Sequence, residues 1–90
     1  MNKGDLVGAV ADDAGITRGQ AQDAVDSVLS NIEGTLKSGG KVTLVGFGTF
    51  SVSDRSARQG RNPRTGAPIR IPARRVARFV AGKALKDAIN

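Results

Sequence analysis

A chain of 90 residues suffices for one small domain, near the size at which a single core barely stabilises itself, so oligomerisation is expected. It has no Cys and no His, which excludes disulfides, thiolate or imidazole metal sites and the commonest general base; it also has no Trp or Tyr. The net charge of +6 is segregated, with four Lys/Arg against six Asp/Glu in residues 1–53 and ten against two in residues 54–90, and so basic a half points to a polyanionic partner.

The opening MNKGDLVGAVADDAG has no apolar run long enough for a signal peptide, and nothing later approaches a membrane span, so a soluble cytoplasmic protein is expected. A helix is predicted over residues 3–14. Leu6, Val7, Val10, Ala11 and Ala14 share one face, Asn2 is spaced as the N-cap and Asp5 as a first-turn acid, while Gly4 and Gly8 oppose the assignment. After a turn at Gly15, a second helix is predicted over residues 18–38. Thr17 and Gln20 form a capping box, Ala21, Ala24, Val25, Val28, Leu29, Ile32 and Leu36 recur at three and four, and Gly39–Gly40 end it.

From Lys41 the apolar period becomes two. Val42 and Leu44 share a strand face, and GFGTFSV, residues 46–52, reads as a glycine-permitted turn into a second strand bearing Phe50 and Val52. No helix follows this G-x-G, so it is not a phosphate loop. Val76, Phe79 and Val80 mark a third strand, and GKALKDAIN closes the chain as a short helix with Leu85 and Ile89 inward. The fold class is therefore α+β: an N-terminal helical hairpin, a three-stranded antiparallel sheet and a short C-terminal helix. A single domain is expected over residues 1–90, with a helical part at 1–40, a sheet at 41–81 and the terminal helix at 82–90.

Between the last two strands lies RSARQGRNPRTGAPIRIPARR, residues 55–75, with seven arginines and no acidic side chain. Its NPRTG supplies Asn at the first turn position, Pro at the second and a Gly free to take positive φ, so the chain folds back about residues 63–65. One flanking strand passes through Arg55, Arg58 and Arg61, the other through Ile69, Arg70 and Ile71. Arginines three apart fall on alternate faces, which leaves neither face apolar enough to lie on a core. A long protruding β-hairpin arm over about residues 53–76 is expected, its edges guarded by Pro68 and Pro72. A ribbon basic on both faces suits a groove with anionic walls. Pro63 at its tip has the character of a wedge that enters a base step, and it is equally suited to serving the turn alone.

GFGTF at residues 46–50, GRNPRTG at 60–66 and GKALKD at 82–87, in this order and spacing, resemble the bacterial histone-like HU family, which includes the integration host factor subunits. The resemblance spans the whole chain. It implies an intertwined dimer whose two β-arms embrace DNA in the minor groove. On that pattern Pro63 matches the intercalating tip, and Arg55, Arg58, Arg61 and Asn62 match arm contacts, with Arg64, Arg70 and Ile71 as further arm candidates. Lys3, Lys83 and Lys86 match flank positions that meet phosphates, with Arg74 and Arg75 added to them. Phe47, Phe50 and Phe79 match the aromatic dimer core, to which Val28, Leu29, Ile32 and Leu36 are assigned as well. Ser53 stands where the family is often basic, Asp54 puts an acid at the arm's root, and Ala77 replaces a common proline. The run PARRV at residues 72–76 is closer to integration host factor, the short tail to HU, and HU is favoured.

The resulting expectation is a nucleoid-associated protein that bends and compacts double-stranded DNA with little sequence preference, favouring bent, nicked or gapped forms. A homodimer is expected, with a heterodimer of paralogues as a variant. The alternatives are an integration-host-factor-like subunit acting at particular sites and, from another class, an RNA-binding or chaperone module, for which the shallow minor groove of A-form duplexes is a poorer match. No cofactor, metal or small-molecule substrate is implied. An enzyme is not expected, since no nucleophile and base can be paired and Asp12 and Asp13 point to different sides of a helix. Membrane binding is not expected either, since the basic stretch has no apolar face.

Overall fold

The computed structural model describes residues 1–90. It groups into two compact units, Met1–Gly34 and Thr35–Asn90. The first holds α1, Lys3–Ala14, and most of α2, Arg18–Lys37. Both helices start with a reciprocal capping box. Asn2 Oδ1 accepts from the Asp5 N–H at 2.9 Å while Asp5 Oδ2 accepts from the Asn2 N–H at 3.1 Å, and Thr17 Oγ1 and Gln20 Oε1 make the equivalent pair at 3.1 and 3.0 Å. Asp5 thus does more than complement the helix dipole. Gly15, at φ 66°, ends α1 with its N–H donating to the Ala11 carbonyl.

Between the helices Val7, Ala11, Ala21 and Val25 are buried, with Val10 and Ile16 packed against them. Small side chains at 11 and 21 make this core thin. Leu6, Ala14, Ala24, Val28 and Leu29, on the faces expected to be apolar, stay exposed within the single chain. Gly4 and Gly8 have a local reason: the Arg18 guanidinium lies along α1, donating to the Gly4 carbonyl at 3.2 Å, and a Cβ on Gly8 would come within 3.2 Å of it. The C-terminus of α2 closes by two bonds, Gly39 N–H to Leu36 O and Gly40 N–H to Thr35 O, both 3.0 Å, with Gly39 at φ 83°.

The second unit is built on an antiparallel sheet of β1 (Val42–Leu44), β2 (Gly48–Arg55) and β5 (Arg74–Ala81), in the order β1-β2-β5. A separate two-stranded sheet pairs β3 (Arg58–Arg61) with β4 (Pro68–Ile71), and α3 (Lys83–Ile89) ends the chain. The α+β architecture expected from the sequence is borne out. Between β1 and β2 the Phe47 N–H donates to Leu44 O at 2.9 Å and Gly46 takes φ 83°, the geometry of a type II turn. Phe50 stands opposite Phe79, and their rings lie 4.8 Å apart at 49°; Phe47 meets the same ring at 5.5 Å. Leu85 is half-buried as expected, but Ile89, in the last turn of α3, is exposed because nothing in the chain covers that turn.

The arm is not one continuous ribbon. The body sheet runs on to the pair Arg55–Arg74, after which both strands leave the ladder, at Ser56–Ala57 and at Pro72–Ala73, before pairing resumes at Arg58–Ile71. Pro72 has no N–H to give a ladder, which accounts for the break on its strand. Asp54, Arg55, Arg74 and Arg75 therefore belong to the body sheet, and β3 and β4 pack chiefly on each other.

Gly48 is the tightest position of the sheet. A Cβ there would lie 2.5 Å from Phe79 Cζ and 2.7 Å from the Val80 carbonyl oxygen. Gly48→Ala is expected to lower stability by about 1–3 kcal/mol through this overpacking. Gly19→Ala, whose Cβ meets nothing within 4 Å in exposed α2, should be neutral or slightly stabilising in the same urea titration.

Candidate nucleic-acid interface

The tip of the arm is set by Asn62. Its side-chain Oδ1 accepts from the Arg64 N–H at 2.8 Å, its carbonyl accepts from the Gly66 N–H at 2.8 Å, and its own N–H donates to Ala67 O at 2.8 Å. Gly66 takes φ 73°, so the loop closes at the residues expected. Pro63 and Arg64 are thereby held on the outside of the turn, both exposed.

Register separates the arm's faces more sharply than spacing alone allowed. Arg58 pairs with Ile71 and Gly60 with Ile69, while Gln59 pairs with Arg70 and Arg61 with Pro68. Paired residues share a face and successive residues alternate, so one face carries Arg58, Gly60, Ile69 and Ile71 and the other Gln59, Arg61, Pro68 and Arg70. Arg58 and Arg61 are on opposite faces, as their spacing of three requires. The expectation that neither face is apolar needs correcting: a Cβ on Gly60 would lie 3.0 Å from Ile71 Cδ1 and 3.8 Å from Ile69 Cγ1, so these side chains fold over the glycine and form a short apolar strip. Gly60 was the available signal, because a glycine inside a strand marks a close approach.

The flank candidates are in different states. Lys83 and Lys86 are exposed on α3, three apart and so on one side of it. Lys3 is paired, its Nζ 2.6 Å from Asp26 Oδ1. Arg75 is engaged twice: Nε sits 3.3 Å from Asp54 Oδ1, and Nη1 donates to the Lys37 carbonyl at the end of α2 at 2.9 Å. Asp26 and the Lys37 carbonyl were not foreseen, since neither lies near its partner in sequence. Arg55 and Arg74 face each other on the last rung of the body sheet. The dimer-core candidates are poorly covered within one chain: Val28, Leu29, Phe47 and Phe79 are 55%, 47%, 47% and 43% exposed, and Ile32, Leu36 and Phe50 are half-buried.

A family described as bacterial DNA-binding protein matches residues 1–90, the entire chain. The chain belongs to that family. It is 60% identical over 90 residues to the DNA-binding protein HRm of Rhizobium meliloti, covering all of both chains, and 53% identical over the same length to DNA-binding protein HU-beta of Pseudomonas aeruginosa. Among solved structures, an Anabaena HU–DNA cocrystal structure matches with a TM-score of 0.88 and 48% identity, over 99% of this chain and 97% of that one. HU from Thermotoga maritima matches with a TM-score of 0.73 and 31% identity over the full length of both. The likeness to HU that the three motifs implied is thus borne out, and no helix here is long and apolar enough to cross a membrane.

Asn62→Ala removes the acceptor that holds Arg64 in the turn. The amide resonances of residues 61–67 should shift toward random-coil values, while global stability changes by no more than about 0.5 kcal/mol because the site is on an exposed tip. Loss of the whole fold would contradict this separation of tip from body.

Proposed function

We propose that the protein is an architectural DNA-binding protein acting as a homodimer, whose two arms enter the minor groove and bend the duplex with little sequence preference. The observation that carries the reading is the β3–β4 ribbon. It is basic, its two strands pack chiefly on each other, and it ends in an exposed proline. The family membership and the HU–DNA cocrystal likeness support the partner.

Dimerisation follows from what one chain leaves uncovered. Leu6, Val10, Ala24, Val25, Val28 and Leu29 line an entirely apolar hollow of about 250 Å³ between α1 and α2, and the Phe47–Phe79 pair is open to solvent. Four small or medium buried side chains are too few for a stable core. A second copy covering Val28, Leu29, Ile32, Leu36 and the three phenylalanines would complete it, and the chain then works as one domain over residues 1–90. The same arrangement allows a paralogue as partner.

Arg55 supplies charge at the arm's root and Arg58, Arg61, Arg64 and Arg70 along the arm, with Asn62 shaping its tip and Ile71 lining its apolar strip. Lys83, Lys86 and Arg74 meet phosphates where bent DNA runs along the body. Lys3 joins them only by leaving Asp26, an exchange that costs little for so exposed a pair. Arg75 acts mainly from behind, by fixing the arm's root to α2. Pro63 is the wedge that unstacks a base step. Nicked, gapped or bent duplexes are favoured because less bending energy remains to be supplied. The protein acts in the nucleoid, by binding rather than catalysis.

Pro63→Ala is expected to reduce the bend of an end-labelled duplex, read by fluorescence energy transfer, while lowering affinity by less than tenfold, because phosphate contacts persist. An unchanged bend would remove the wedge. Leu29→Asp should abolish the dimer in sedimentation and, with it, most of the cooperative unfolding transition.

A further inference from the structure

The two glycines that oppose a helix over residues 3–14 meet the same side chain of α2. Arg18 Nη2 donates to the Gly4 carbonyl at 3.2 Å; a Cβ on Gly8 would lie 3.2 Å from Arg18 Nη1, and one on Gly4 3.7 Å from Nη2. In a helix the carbonyl of residue 4 already accepts from the N–H of residue 8, so the guanidinium takes its second lone pair. The glycines leave a notch in α1, and the first residue of α2 fills it. Gly8 lies within α1, where glycine weakens a helix relative to alanine, and the notch is the contact that this loss makes possible.

The residue before Gly4 is tethered to α2 as well, Lys3 Nζ pairing with Asp26 Oδ1 at 2.6 Å. The two tethers differ in kind. Lys3 and Asp26 are side chains 54% and 44% exposed, and a phosphate can replace the carboxylate. The acceptor of Arg18 is a backbone carbonyl, fixed by the helix itself. The buried core between the helices is Val7, Ala11, Ala21 and Val25, and none of these lies in the first turn of α1.

We propose that Arg18 is the holdfast of α1: seated in the Gly4–Gly8 notch, it keeps the first turn docked on α2 when Lys3 gives up Asp26. Release of Lys3 rests on the DNA-binding reading; the seat of Arg18 does not. Without Arg18, a Lys3 drawn to a phosphate would leave the first turn with neither tether, and Leu6 in that turn lines the hollow that a second copy covers. With Arg18 in place, Lys3 changes partner and α1 keeps its position.

Amide hydrogen exchange along both helices of the full chain tests the holdfast, with Asp26→Ala freeing Lys3 in the absence of duplex. Arg18→Gln should speed the opening of amides 6–10 by about two- to tenfold, the loss of one hydrogen bond, while amides 26–32 keep the wild-type rate. The same factor should appear when Arg18→Gln is added to Asp26→Ala, because the holdfast acts whether or not Lys3 is paired. Gly8→Ala reads the notch itself. Alanine should slow opening by about two- to fivefold in the Arg18→Gln background, and by much less with Arg18 present, since the new methyl displaces the guanidinium. On a short duplex, α1 should stay protected in wild type and open further, relative to α2, in Arg18→Gln. An equal gain from Gly8→Ala in both backgrounds, an Arg18→Gln effect that vanishes once Asp26 is gone or spreads evenly over both helices, or an Arg18→Gln helix that bound duplex leaves unloosened would each overturn the holdfast. Failure of wild type to bind duplex would instead overturn the DNA-binding reading, and the variants measured without duplex would still decide the holdfast.

Discussion

The antiparallel ladder between β2 and β5 is the element on which the second unit depends. It pairs eight residues of each strand, from Gly48 opposite Ala81 to Arg55 opposite Arg74. Its first rungs are apolar and closely packed, with Phe79 lying over the bare Gly48 backbone and against the other two aromatic rings. Its last rungs are charged and open. A single piece of backbone hydrogen bonding thus joins the surface that a second chain would cover to the surface that a polyanion would neutralise.

The two ends are stabilised by different physics. At the apolar end, burying an aromatic side chain is worth roughly 1.5–3 kcal/mol, a gain only partly realised while Phe47 and Phe79 stay half open to water. At the charged end Asp54, Arg55, Arg74 and Arg75 are all exposed, and the internal compensation is the Asp54–Arg75 pair with its bond to α2. Exposed ion pairs contribute little, so that contact orients more than it stabilises. Salt should therefore act unequally on the two ends, screening the arginines of the arm within about 8 Å at physiological ionic strength while leaving the aromatic cluster unaffected.

Local chemistry made most of the fold legible. Thr17 and Gln20, Gly39–Gly40, Gly46 and NPRTG each declare a cap or turn whose hydrogen bonds involve residues no more than five apart, and all form as their spacing implies. What escaped a reading of spacing is long-range. Which arginine finds a carboxylate and which finds another arginine depends on register between β2 and β5, some 20 residues apart, and on the place where Pro72 interrupts it. The arm's apolar strip was hidden for the same reason, because Gly60 and Ile71 become neighbours only once β3 and β4 are aligned. Exposure of Val28 and Leu29 was equally beyond a helical wheel, which assigns a face to the core without saying whose core it is.

On the proposed function, the basic ribbon is the part of the molecule that engages duplex DNA and becomes ordered by doing so. Amide hydrogen exchange over residues 55–75, compared with and without a short duplex at low and then high salt, addresses it most directly. Fast exchange is expected in the free protein, with strong protection on the duplex concentrated in β3, β4 and the flanking break, and loss of that protection as salt rises. Protection confined to α1 and α2, or an arm that exchanges as fast on DNA as off it, would contradict it.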